Sequence, residues 1–325
     1  MNRKKIYWNN VCLLSRMEEE NNNRYLEKWQ HENGETFEFE YFGLGRKKAL
    51  HHTIGDELKE GGLLADALVC TDLDVFQDRR YLLEKLDSFK KLQGLLPVRE
   101  ELRNSNILHA SGRIIPAIVI PMVMAVNRLA LNLDRMPCSF RELLEPKWEG
   151  KVVLGGIDTS AGKSILMGIW YLYGEDAVHR FIRNARFATV PAQAFQLVRM
   201  GAYPVAVVPT IFSGMQGNRN IEEIWPEDGA AAIPSYVAVK ENAPDSLVMF
   251  IKDCLFNDTI QEAFSRMGRI IPAKPGIAVP ENAHRNNYKI LYPDWEWIGR
   301  FNMDLFNEIC RNVNRHEAGK IRVDI

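Results

Sequence analysis

Residues 151–164 read KVVLGGIDTSAGKS, an apolar run that breaks at paired glycines and continues into small polar residues. The apolar run is typical of a buried strand, and the polar residues after it are typical of a helix start. The first helical turn carries unpartnered N–H groups and the positive end of the dipole, so it favours an anion. The segment therefore predicts an anion-binding helix start, with candidate ligand-binding residues Asp158, Thr159, Ser160, Ala161 and Gly162.

Two other interpretations of this segment are a nucleotide-binding loop and an ordinary helix cap. A P-loop needs a glycine five residues before Gly162, and Ile157 stands there, so the spacing argues against ATP or GTP. Lys163, which a P-loop would use, is then expected to be solvated. Capping of the helix by a polar side chain of the turn would explain the same residues and stays open.

Composition limits the possible partners of this chain. Its 325 residues suggest two lobes, and its net charge of -1 provides no global field for nucleic acid or an anionic membrane. The longest apolar stretch, residues 114–126, contains two prolines and is too short to span a bilayer. We therefore expect no nucleic-acid partner and no membrane-spanning segment.

The cysteines and the first residues bear on cofactors and location. The five cysteines are scattered without metal-type spacing, so we expect neither a metal nor another cofactor. Residues 1–14, MNRKKIYWNNVCLL, are basic but lack a long apolar region and a cleavage site. On this ground we expect no export signal in the chain as given.

Strand and helix patterns alternate along the first 75 residues, which predicts an α/β architecture. Three predicted strands, residues 5–8, 36–42 and 65–70, each end in polar or glycine-rich turns. The carboxyl ends of parallel strands share one edge, where ligands bind. The candidate residues of this edge, each of which could also be a simple turn or cap residue, are Asn9, Asn10, Gly45, Arg46, Thr71 and Asp72.

A second set of alternating patterns indicates a second lobe. Two strand-like runs separated by Pro121 predict a crossing between lobes, and residues 230–239 predict the return. Between them, the strand at residues 205–208 ends in PTIFSG and adds Thr210 and Ser213 to the candidate site. The predicted domains are lobe 1, residues 1–120 and 235–325, and lobe 2, residues 121–234, with the ligand cleft between them.

Several segments resemble type 2 periplasmic binding proteins in their order and spacing. Residues 125–154, AVNRLALNLDRMPCSFRELLEPKWEGKVVL, are similar to the family's entry into the second lobe. Residues 65–76, 174–186 and 241–273 resemble the third strand and later helices, with Gln261, Gly268 and Pro272 in order. The matching positions of residues 125–154 are Asn127, Pro137, Ser139, Leu143, Leu144, Pro146, Trp148, Gly150 and Lys151.

Within this family, the chain resembles the ferric-iron-like group of solute-binding components of ABC importers. The resemblance implies a two-lobed α/β fold, with two mixed sheets flanked by helices and joined by two crossing strands, that closes on a solute by hinge motion. It also implies ABC permease subunits as partners, a monomeric state, no enzymatic activity, and a periplasmic location or one at the outer face of the membrane. Because no export signal is seen, a cytoplasmic ligand sensor of the same fold is the alternative.

The residues depart from the iron-binding members at one place. Those members carry adjacent tyrosines after the strand that here leads into Pro209, Thr210 and Ile211. Ferric iron requires anionic oxygen ligands, which threonine and serine hydroxyls do not supply. We therefore predict a small anionic solute, namely a phosphate or phosphonate ester, a sulfonate or a carboxylate, with iron(III) at a non-tyrosine site as a further alternative.

An enzyme is the third class considered. The adjacent His51 and His52 point in different directions on a helix, and no serine or cysteine nucleophile motif accompanies them. Asp72 and Asp158 are the only acids available for the predicted cleft, and a capping role explains both. The sequence therefore favours binding over catalysis.

Overall fold

The computed structural model describes residues 4–43, 49–131, 135–213 and 220–317. The backbone contacts divide the chain into two compact units. Unit 1 comprises Met1–Val119 and Pro234–Val279, and unit 2 comprises Ile120–Ile233 and Pro280–Ile325. Among the described residues, every helix is too short or too polar to span a bilayer.

Strands and helices alternate along most of the chain. Up to residue 127 the elements are β1 (Lys4–Asn9), α1 (Ser15–Asn33), β2 (Phe37–Phe42), α2 (Leu50–Glu60), β3 (Ala67–Cys70), α3 (Leu73–Gln77), α4 (Glu100–Arg103) and β4 (Ile115–Asn127). The next elements are β5 (Val152–Gly155), α5 (Ser160–Tyr173), α6 (Glu175–Asn184), β6 (Ala185–Ala188), α7 (Pro191–Arg199), β7 (Val205–Pro209), α8 (Thr210–Ser213), β8 (Ile221–Ile224) and β9 (Ala230–Val239). The last are α9 (Asp245–Leu255), α10 (Asp258–Gly268), β10 (Ile271–Pro272), α11 (Glu281–Arg285), β11 (Ile290–Leu291), α12 (Trp295–Arg300) and α13 (Met303–Glu317). The predicted α/β class is confirmed.

The sheet of unit 1 has the strand order β2-β1-β3-β9. β1 runs parallel to both neighbours, so that Trp8 lies opposite Tyr41 of β2 and Val69 of β3. β9 runs antiparallel to β3, with Val239 opposite Ala67. The carboxyl ends of β1 and β3 consequently lie side by side, as the sequence predicts.

The sheet of unit 2 is built around β5. β5 pairs in parallel with β6 and β7, and β7 pairs with β4 in the antiparallel sense. β8 also runs antiparallel to β4, and β11 runs parallel to β9.

β4 is a single strand rather than the two runs that Pro121 predicts. All 13 residues of β4 are buried. Pro121 lies between the β10 ladder, which ends at Val119, and the β7 ladder, which starts at Met122. A proline at such a junction does not interrupt either ladder, so the strand continues through it.

The C-terminal segment belongs to unit 2, which corrects the predicted assignment of residues 280–325 to lobe 1. Ile290 pairs with Ala230 of β9, and Leu291 packs so closely on Gly168 that a Cβ there would lie 2.8 Å from it. The Phe301 ring meets the Trp170 ring at 5.0 Å. These contacts depend on tertiary packing, and a two-residue strand has no periodicity by which the sequence could reveal it.

A buried carboxyl group lies beneath the end of β1 in unit 1. Glu18 is 2% exposed, and its two oxygens accept hydrogen bonds from the Trp8 indole N–H (3.2 Å) and the Val11 backbone N–H (2.7 Å). Burial raises the pKa of Glu18 to about 8, although both N–H bonds act in the opposite direction. The folded chain therefore retains a proton on Glu18 that the unfolded chain loses near pH 4.5.

Because the folded chain retains this proton, we expect its free energy of unfolding to depend on pH. The free energy of unfolding should fall as the pH rises from about 4.5 to about 8, with Glu18 contributing up to about 1.4 kcal/mol per pH unit. Glu18→Gln should reduce this slope in urea denaturation curves at pH 5, 6, 7 and 8. Glu20→Gln, at an exposed position of the same helix, is the control. Equal slopes for the wild type and Glu18→Gln would contradict the assignment.

Candidate functional site

Three parallel strands of unit 2 end at one edge of the sheet. Gly155 of β5 lies opposite Ala188 of β6, and Leu154 of β5 lies opposite Val207 of β7. From these ends the chain enters α5, α7 and α8. This edge is where an open α/β sheet binds its ligand.

Glycines stand at the end of β5, in the turn and in the first turn of α5, where backbone segments approach each other very closely. A Cβ at Gly155 would lie 2.4 Å from the backbone nitrogen of Pro191, and one at Gly162 would lie 2.4 Å from Ile157 Cα. Gly156 has a φ of 69°, in the left-handed region that glycine tolerates. The start of α5 is thereby held directly against the exit of β5.

Thr159 occupies the N-cap position of α5 without acting as a cap. Its side chain accepts no bond from the helix, and its hydroxyl instead donates to the Gly156 carbonyl at 2.7 Å. Within the described part of the chain, the Ala161 N–H has no hydrogen-bond acceptor. Thr159 therefore does not cap α5, and the Ala161 N–H remains as a backbone donor at the positive end of a 14-residue helix.

The remaining residues of the turn differ in exposure. Asp158 and Thr159 are exposed and Ser160 is half-buried. Lys163 is only 7% exposed, which corrects the expectation that it is solvated. α5 is buried continuously from Ala161 to Ile169, so even its fourth residue is covered.

The two predicted residues after β7 have different surroundings. Thr210 is 2% exposed at the start of α8. The Ser213 hydroxyl contacts the Thr210 carbonyl at 3.1 Å and the Glu223 carboxylate at 2.5 Å, and Asn282 donates to the other oxygen of Glu223. The Ser213 proton is therefore committed to a carboxylate. Glu223 and Asn282 have no local motif and could not be identified from the sequence.

In unit 1 the structure brings Asn9 and Thr71 together. Asn9 is the last residue of β1 and Thr71 follows the paired strand β3, and the Thr71 hydroxyl donates to the Asn9 side-chain oxygen. Asn10 is 7% exposed, and its amide donates to Glu19 at 2.8 Å, so it is directed into the protein. The predicted residues Gly45 and Arg46 lie outside the described residues.

Asp72 links the starts of two helices. One oxygen accepts the Asp74 N–H at the start of α3 (3.3 Å), and the other accepts the His51 N–H at the start of α2 (3.1 Å). The same second oxygen lies 2.7 Å from His51 Nδ1. A carboxylate at two helix N-termini is favoured by both dipoles, which gives Asp72 a structural role.

His51, Asp72 and Asp74 form a compact group of possible metal ligands. One ligand atom from each lies within 4.8 Å of the others, and His51 Nδ1 is 3.7 Å from the nearer Asp74 oxygen. Imidazole and carboxylate groups bind transition-metal cations. His51 is 21 residues from Asp72 in the sequence, so no spacing motif indicates this group.

Residues 64–299 match the family described as bacterial extracellular solute-binding proteins, and the chain belongs to this family. It is therefore a solute-binding protein of the ABC transporter type, and the family implies a small-molecule ligand, ABC permease partners and a periplasmic location. No curated protein matches the chain in sequence.

Several solved structures share the fold. Apo ferric ion-binding protein A from Pasteurella haemolytica has a TM-score of 0.69 at 13% identity, covering 97% of this chain and 98% of that one. Iron-bound HitA from Pseudomonas aeruginosa has a TM-score of 0.66 at 14% identity, covering 97% of this chain and 99% of that one. The Trichodesmium FutA complex with iron and citrate has a TM-score of 0.63 at 13% identity, covering 97% of this chain and 98% of that one. The predicted type 2 periplasmic binding fold and its ferric-iron-like resemblance are confirmed.

The glycine turn gives a direct test of the close packing. Gly162→Ala should destabilise the protein by about 1 to 3 kcal/mol, because the added methyl group meets backbone atoms that do not move easily. Gly299→Ala is the matched control: its Cβ meets nothing within 4 Å, and alanine favours a helix by up to about 1 kcal/mol over glycine. Urea denaturation measures both variants, and equal stabilities would contradict the packing described.

Proposed function

We propose that this chain binds a small anionic solute at the start of α5 and delivers it to an ABC permease. The observation that carries the proposal is one donor at the start of α5: the Thr159 hydroxyl donates to Gly156 instead of capping the helix, and the Ala161 N–H has no acceptor in the described part of the chain. A phosphate or phosphonate ester, a sulfonate or a carboxylate would each supply the missing acceptor.

The physical basis is the combination of helix dipole and free donor. The aligned peptide groups of α5 place roughly half a positive charge at its start, worth typically 0.3–1 kcal/mol to an anion at the surface. Hydrogen bonds from N–H groups to a charged acceptor contribute about 1.5–3 kcal/mol each. In this proposal Asp158 takes part through its backbone, since its own carboxylate would repel the solute.

The other predicted residues have more limited proposed roles. Asn9 and Thr71, hydrogen-bonded to each other in unit 1, are proposed as ligand-binding residues of that unit. Ser213 donates to Glu223 and is not needed as a donor to the anion. Because the α5 edge offers donors that orient a ligand, we propose binding without catalysis.

The test uses two substitutions of nearly equal size at Ser160. Calorimetric titrations with inorganic phosphate, methylphosphonate, ethanesulfonate and succinate should show binding of at least one anion to the wild type. Ser160→Asp should weaken this binding at least about tenfold, because one unfavourable contact of about 1.4 kcal/mol gives that factor. Ser160→Asn, which adds no charge, should retain it.

Both variants should fold, since Asp and Asn are favourable at the start of a helix. If none of the four anions bound, or if Ser160→Asp bound as tightly as the wild type, the anion proposal would be wrong.

A metal-bearing solute is a second candidate, favoured by the group of His51, Asp72 and Asp74. Two of the structural neighbours were solved with iron, which makes ferric citrate the appropriate probe. Asp74→Asn should lower the amount of iron retained after gel filtration, measured by elemental analysis. Asp87→Asn, with a side chain 98% exposed, is the control. Equal iron contents for the wild type and Asp74→Asn would exclude this group as the metal site.

A further inference from the structure

A polar pocket of about 500 Å³ lies in unit 2 at the opposite end of α5 from the glycine turn. Tyr173, the last residue of α5, lines it, and α5 separates it from the helix start by about 20 Å. Its other walls are α6 and the segment that precedes β5. The volume is within the range of small-molecule sites.

Three arginines line this pocket: Arg141, Arg180 and Arg183. None of their guanidinium groups forms an ion pair or hydrogen bond within the described residues. The dipole of α6 favours basic residues in its last turns, which accounts for Arg180 and Arg183 but not for Arg141, which comes from a different segment. The three side chains are exposed and surround one concavity, so their guanidinium groups can donate to an anion placed in it.

The acidic residues of the pocket do not neutralise this charge. Glu145 pairs with Lys147 at 2.8 Å, which leaves Glu149 as the only other acid lining the pocket. Three arginines against Glu149 and the Asp228 carboxylate, which contacts the pocket residues Arg141 and Tyr173, still leave an excess of positive charge.

Hydrogen bonds hold the pocket walls in place. Asp228 accepts the Arg141 N–H at 3.1 Å and the Tyr173 hydroxyl at 2.9 Å. On the other side, the Asn184 amide donates to the carbonyls of Leu143 (2.8 Å) and Glu145 (2.9 Å). Burial and the neighbouring Asp228 raise the pKa of Tyr173 to about 12, so its hydroxyl stays protonated at neutral pH.

We propose that this pocket is a second ligand site, separate from the α5 start, that binds a small anion bearing several phosphate or carboxylate charges. The fork geometry of the guanidinium group suits both kinds of charge. Pyrophosphate and citrate are the probes, and acetate is the control for a single charge.

The experiment combines calorimetry with nitrogen-15 spectra of the arginine side chains. Pyrophosphate or citrate should bind the wild type, shift the Nε–H signals of the pocket arginines, and bind more weakly as NaCl is raised. In the double variant Arg180→Gln/Arg183→Gln, the probe should no longer shift the Arg141 signal. Its affinity for this site should fall at least about tenfold. Arg199→Gln, an exposed arginine in the last turn of α7, should behave as the wild type.

Arg141→Gln provides an independent variant on another segment, in case the double substitution fails to fold. The proposal is overturned if neither probe shifts the signals of Arg141, Arg180 or Arg183, if acetate shifts them equally, or if the arginine variants bind as the wild type. Ser160→Asp should leave these signal changes intact, so failure at this pocket and failure at the α5 start are distinguishable.

Discussion

The close approach of backbone segments around Gly155 and Gly162 is the constraint on which the functional edge of unit 2 depends. It leaves no room for a side chain at either position, and it brings the start of α5 against the end of β5. The same geometry turns the Thr159 hydroxyl back to Gly156, so the helix cannot use it as a cap. The Ala161 N–H is therefore left without an acceptor from the Thr159 side chain, and this donor supports the proposed anion site.

The charges of this protein act locally. A net charge of -1 over 325 residues provides no long-range attraction, so each ligand must be recognised by the groups around it. The edge of unit 1 carries Asp72 and Asp74 beside His51, whereas the α5 start of unit 2 offers the Ala161 N–H donor. The two edges thus favour opposite charges, which is why the anion and metal-bearing candidates can be tested independently.

Much of the fold could be predicted from local signals, because apolar runs ending in glycine or polar turns define strands such as β1, β3 and β5. The side chains of the site were less predictable. His51 meets Asp72 through tertiary packing across 21 residues, and Ser213 meets Glu223 through the placement of a strand without a motif. The C-terminal segment was misassigned because its docking depends on Leu291 fitting the surface left open by Gly168.

The central claim is that an anion accepts a hydrogen bond from the start of α5. Its most direct measurement is the backbone amide proton shift of Ala161 during titration with an anion that calorimetry shows to bind. The account predicts a saturable downfield shift of this signal with the calorimetric affinity. Saturation of binding with the Ala161 signal unmoved would contradict it.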